Sequence, residues 1–102
     1  MQVHMTRQGA DDVEAIYSYI ARRSESGADS WYEAFFAARA QIQINPESYP
    51  LTESAEYFAG EVREHYFRTR YGRWNYCVLF TTVGDIIYVV RVHGPGENFA
   101  QS

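Results

Sequence analysis

VREHYFRTRYGRWNYCVLF, Val62 to Phe80, is the stretch on which the fold turns. From Arg63 onward it packs four arginines and six aromatic residues into eighteen positions. Aromatic and β-branched residues favour strands, so Val62–Thr69 and Trp74–Thr82 read as two strands. Tyr71-Gly72 between them reads as a tight turn in which glycine supplies positive φ. Downstream, Ile86–His93 is a third strand of the same kind, reached through the turn Val83-Gly84-Asp85. Short turns between consecutive strands give an antiparallel meander.

Upstream of the meander the period changes. Gln2–Thr6 alternates apolar and polar residues as a short strand, which Gly9 is expected to end. Val13, Ile16, Tyr17 and Ile20 then fall on one stripe of a helix over about residues 10–23. Asp11, Asp12 and Glu14 sit in its first turn and Arg22 and Arg23 in its last, matching the helix dipole. After a break at Ser24–Gly27, Trp31, Phe35, Ala38 and Ile42 form the buried stripe of a second helix that Asn45-Pro46 stops. The break is short, so the two helices pack as an antiparallel hairpin. Residues 46–60 form a Pro- and Ser-punctuated loop back to the sheet. The order β-α-α-β-β-β defines an α+β fold: a helical hairpin packed on a small antiparallel sheet, in one domain over residues 1–96 with a tail at 97–102.

Composition narrows the function. The chain has 102 residues, a net charge of −4 and no lysine, all nine basic residues being arginine. The first sixty residues carry four arginines against nine acids, and the remainder five arginines against four acids. Positive charge is thus concentrated on the strand-forming half. One cysteine excludes an internal disulfide, and no cluster resembles a metal site, so no metal or cofactor is expected. No long apolar run exists to span a membrane, and MQVHMTRQGADD carries no apolar leader segment, which points to a cytoplasmic protein.

Alternation in the last strand puts Ile86, Tyr88, Val90 and Val92 on the helix-covered face, which sends Arg91 and His93 to the open face. Arg68 and Arg70 have the parity opposite to His65 and Phe67, and Arg73 lies at the turn. Converging there, such arginines would bind phosphate through their guanidinium forks, with His93 as acid or base. His4 reads as decoration of an edge strand, His65 as an ordinary sheet residue with nothing else reactive on its parity, and Cys77 as a small buried apolar residue. Tyr32 and Phe36, flanking the buried stripe of the second helix beside Arg39, are more apolar surface than a two-helix cover needs.

The helix DDVEAIYSYIARRS, the second helix ending in NPESYPL, the strand pair VREHYFRTRYGRWNYCVLF and the closing IYVVRVHGPG together resemble the RelE/ParE toxin superfamily of type II toxin–antitoxin modules, often labelled plasmid stabilization proteins. The resemblance runs from Val3 to Gly96. It implies a growth-inhibiting toxin neutralised by a cognate antitoxin, in a homodimer or a heterotetramer with that antitoxin. In ParE-like members the target is an essential enzyme such as DNA gyrase. In RelE-like members the protein is a ribosome-dependent, metal-independent mRNA endoribonuclease, and on that alternative Arg70, Arg73, Arg91 and His93 are the catalytic positions. Tyr32, Phe36 and Arg39 are the expected antitoxin-binding positions on either branch. The acidic charge, the lack of lysine and Phe99, standing where some nuclease members carry tyrosine, favour the ParE-like branch.

Overall fold

The computed structural model describes residues 1–52, 61–70, 72 and 74–95. Its elements are β1 (Gln2–Met5), α1 (Arg7–Ala21), α2 (Glu25–Ile44), a 3-10 turn (Pro46–Ser48), β2 (Arg63–Phe67), β3 (Tyr76–Val83) and β4 (Ile86–His93). Strand order is β1-β4-β3-β2. The meander β2-β3-β4 is antiparallel as expected, and β1 joins it parallel to β4, so the sheet is mixed rather than wholly antiparallel. Parallel entry of β1 follows from the connection: two helices intervene between β1 and the meander. Gly84 closes the β3–β4 turn at φ 62°, the left-handed conformation that glycine adopts without strain.

Both helices begin on side-chain caps, earlier than the sequence periodicity indicates. Thr6 Oγ1 accepts from the Gly9 amide at 3.1 Å, so α1 starts at Arg7 and Gly9 lies within its first turns instead of ending the strand. Ser24 Oγ accepts from the Gly27 amide at 2.9 Å, which shortens the interhelical break.

One face of the sheet and the hairpin share the main core. Trp31, Phe35, Ala38 and Ile42 of α2 are buried on the expected stripe, against Phe67, Val78, Phe80, Ile87, Val89 and Val92 of the sheet. On the other face Val62, Cys77 and Leu79 form a smaller cluster with Val90. The parity expected for β4 is therefore corrected: Ile87 and Val89, not Ile86, Tyr88 and Val90, face the helices. The cause is a β-bulge. Leu79 pairs with Arg91 but Phe80 with Val89, so Val90 is an extra residue that reverses the alternation before Val92.

The bulge also sets where α1 lies. β1 stops pairing at Met5, opposite Val89, and α1 takes its place along the rest of β4. The Thr6 amide donates to the Val89 carbonyl at 3.0 Å, and Thr6 Oγ1 lies 3.2 Å from the carbonyls of both Val89 and Val90. Asp12 then takes three donors: Nε of Arg91 at 2.7 Å, the Nη2 group of Arg91 at 3.3 Å and the Val92 amide at 2.9 Å. Between these anchors Gly9 lets the helix backbone touch the strand, since a Cβ there would stand 2.5 Å from the Val89 carbonyl oxygen.

Gly9→Ala forces α1 off β4, because the obstacle is backbone and cannot swing aside. The expected loss is about 1–3 kcal/mol, outweighing the gain in helix propensity, and a urea midpoint compared with the wild type measures it.

Candidate functional site

The surplus aromatic surface expected on α2 is present. Tyr32 and Phe36 remain 41% and 46% exposed, and their rings meet edge to face at 4.8 Å. Arg39, one turn further on, holds its guanidinium 5.1 Å above the Phe36 ring. The same group reaches the Val3 carbonyl at 3.4 Å, and Gln43 reaches that of Met1 at 2.8 Å. Side chains of α2 thus cover part of the outer edge of β1, which would otherwise present unpaired carbonyls.

Tyr17 extends this patch across the hairpin. Its ring meets Tyr32 edge-on at 5.9 Å, and its hydroxyl donates to Asp29 at 2.7 Å, a bond that raises the phenol pKa. Sequence periodicity assigned Tyr17 to the core stripe; it does pack against the core but keeps its hydroxyl outside it. Met5, Ala10, Val13, Glu14, Tyr17 and Tyr32 line an apolar groove of about 420 Å³ between the helices and the end of β1. Patch and groove adjoin through Tyr17 and Tyr32, with Arg39 at one end and Glu14 at the other.

The four positions of the nuclease alternative are treated differently by the fold. Arg70 is exposed just after β2, and Arg73 lies outside the described residues, as do Tyr71, the 97–102 tail and Phe99. Arg91, paired with Leu79, lies on the open-face side of β4 as expected, but its guanidinium is engaged by Asp12 of α1. His93 pairs with Cys77, on the sheet face opposite the helices. Arg91 and His93 thus share one face of β4, with the Arg91 guanidinium committed to Asp12. The bulge at Val90 carries no local sequence signal, and Asp12 reads as one more N-terminal helix charge until the bulge brings α1 over it.

Cys77 is buried, and burial, with Glu64 nearby, pushes its thiol up to about 12, leaving it unreactive at neutral pH. His65 faces the helices beside Val78, its ring edge-on to Tyr49 at 4.7 Å. Its Nε2 is buried with no hydrogen-bond partner among the described residues. Among those residues no group of His, Cys, Asp and Glu is placed to hold a metal ion, and no helix is long and apolar enough to cross a membrane.

The structure is a small α+β domain with an exposed aromatic patch on its helical hairpin. The family model described as "ParE toxin of type II toxin-antitoxin system, parDE" matches residues 3–99, and the chain belongs to that family. It is the toxin component of a type II toxin–antitoxin module, and its family pairs such a toxin with an antitoxin. A solved chain of the "Chromosomal ParDE TA system from P. aeruginosa" shares the fold: TM-score 0.67 at 21% identity, covering 93% of this chain and 96% of that one. No curated protein matches.

Burial lowers the His65 pKa, so the folded protein resists a proton that the unfolded chain accepts below about pH 6.5. Stability is full above that pH and falls as pH drops through it towards the folded-state value. Urea midpoints of wild type and His65→Gln, taken between about pH 7.5 and 5.5, should shift against the wild type as pH falls. A constant difference would show that His65 titrates freely.

Proposed function

We propose that the chain acts in the cytoplasm as a ParE-like inhibitor of an essential enzyme, DNA gyrase, and that its antitoxin silences it by seating an apolar segment on Tyr32, Phe36 and Arg39. The observation that carries the choice of branch is the Asp12–Arg91 pair, with Nε 2.7 Å from the carboxylate. A guanidinium held bidentately by a carboxylate has spent its fork, and binding a phosphate there would require breaking the pair. The nuclease alternative needs Arg91 for that task, so the arrangement favours a toxin that works by binding. The antitoxin seat is supported by the exposed Tyr32–Phe36 pair, since aromatic residues flanked by arginine dominate the energetics of protein interfaces.

Two experiments test these readings separately. Expressed alone from a tight promoter, the wild type should filament cells and raise a DNA-damage response while protein synthesis continues at first. Immediate arrest of protein synthesis, relieved in Arg91→Ala/His93→Ala, would mean a ribosome-dependent nuclease instead. For the antitoxin seat, Tyr32→Ala/Phe36→Ala should weaken antitoxin binding by roughly 30-fold or more. Both side chains are partly exposed, so the variant should stay folded, and its toxicity should escape co-expressed antitoxin.

A further inference from the structure

A second groove lies on the far side of α1 from the aromatic patch. Ile16, Tyr19 and Ile20 form one wall, and Trp74, Tyr76 and Pro95 face them across a space of about 560 Å³. At about 3.6 residues per turn, these helix residues point roughly away from Ala10, Glu14 and Tyr17, which line the first groove. Tyr19 and Trp74 are 56% and 61% exposed, more than the aromatic pair on α2. The back of the groove is firm, because Tyr76 packs edge-on against the fully buried Trp31 at 5.7 Å.

Charge separates this groove from the rest of the acidic surface. Arg23 lines it, its guanidinium 4.9 Å above the Tyr19 ring, and among the described residues it makes no ion pair. The neighbouring stretches Ala15–Ser24 and His65–Gly84 contain no aspartate or glutamate. They do contain the exposed Arg22, Arg23, Arg68 and Arg70, four of the nine arginines in a chain of net charge −4. The result is an apolar trough, aromatic at its lips, with Arg23 on its wall.

We infer that this groove is a docking site for an acidic segment of a second protein, which places an apolar side chain between Tyr19 and Trp74 and a carboxylate on Arg23. The walls decide between a peptide and a nucleic-acid strand. Ile16, Ile20 and Pro95 offer aliphatic contacts that fit a leucine or phenylalanine side chain, whereas a strand is held by successive open ring faces and backbone cations. The Arg23 guanidinium, which makes no ion pair among the described residues and lies over the Tyr19 ring, supplies the complementary charge. This surface is separate from the proposed antitoxin seat and does not rest on it; the two can be occupied at once from opposite sides of α1.

The test is selection of random peptides of about twelve residues, displayed on phage, against the full chain, with counter-selection on Arg23→Glu. Recovered peptides should carry Asp or Glu beside Leu or Phe, and their binding, read by fluorescence anisotropy, should weaken with salt. Affinity should fall at least about tenfold in Arg23→Glu and in Trp74→Ala, and stay unchanged in Tyr32→Ala/Phe36→Ala. Arg23 and Trp74 are exposed, and Arg23→Gln serves as a second variant should Trp74→Ala melt early. Failure to recover peptides, recovery of peptides without acidic residues, or indifference to Arg23→Glu would overturn the assignment. So would tighter binding of a single-stranded RNA of the same length.

Discussion

The position of the helical hairpin depends on one carboxylate. Asp12 accepts from the Arg91 side chain twice and from the Val92 backbone once. That backbone donor exists because β1 ends at Met5 and leaves the remainder of β4 without a strand neighbour on that edge. A buried N–H needs a partner, and here a helix side chain supplies it where a strand carbonyl otherwise would. Thr6 and Gly9 act with it, one by bonding to the β4 carbonyls and the other by lacking a side chain. With α1 fixed at three points along one strand, α2 has only one way to cover the core, and the outward direction of Tyr32, Phe36 and Arg39 follows.

That geometry gives the chain two faces of different character on either side of α1. One is aromatic with mixed charge at its ends, continuous from Tyr17 to Arg39 and bordering the edge of β1. The other is aromatic, with Arg23 as its charged residue among those described. A toxin that must be silenced by one protein and act on another needs surfaces that are chemically distinct, and a division of this kind supplies specificity through charge as well as shape. Arg91, the residue whose position on the last strand most resembles a phosphate ligand, is spent inside the fold. Arg91 serves as an anchor between β4 and α1.

The element order was legible in the sequence because each helix and strand announces its own period. Trp31, Phe35, Ala38 and Ile42 recur at helical spacing and are buried as that spacing requires. Ile86–His93 was bounded to the residue by turn glycine and β-branched content. Tyr32 and Phe36 stood out because the stripe beside them already filled the core. What was not legible depended on contacts between distant segments. Alternation along β4 assumes an unbroken ladder, and Val90, an ordinary strand residue, gives no warning that it is the one left over. Gly9 reads locally as a breaker, and only the approach of the Val89 carbonyl makes it a packing requirement. Asp12 and Arg91 are 79 residues apart, so their pairing is visible only once the bulge and the helix are both in place.

Whether Asp12 holds Arg91 as an anchor is read from a double-mutant cycle. Unfolding free energies of wild type, Asp12→Ala, Arg91→Ala and the double variant separate the pair's own coupling from the other contacts each residue makes. The pair is partly buried and charge-assisted, so a coupling of about 1.5 kcal/mol or more is expected. Additive losses, with coupling near zero, would show that Asp12 does not anchor Arg91 and leave Arg91 available for another role.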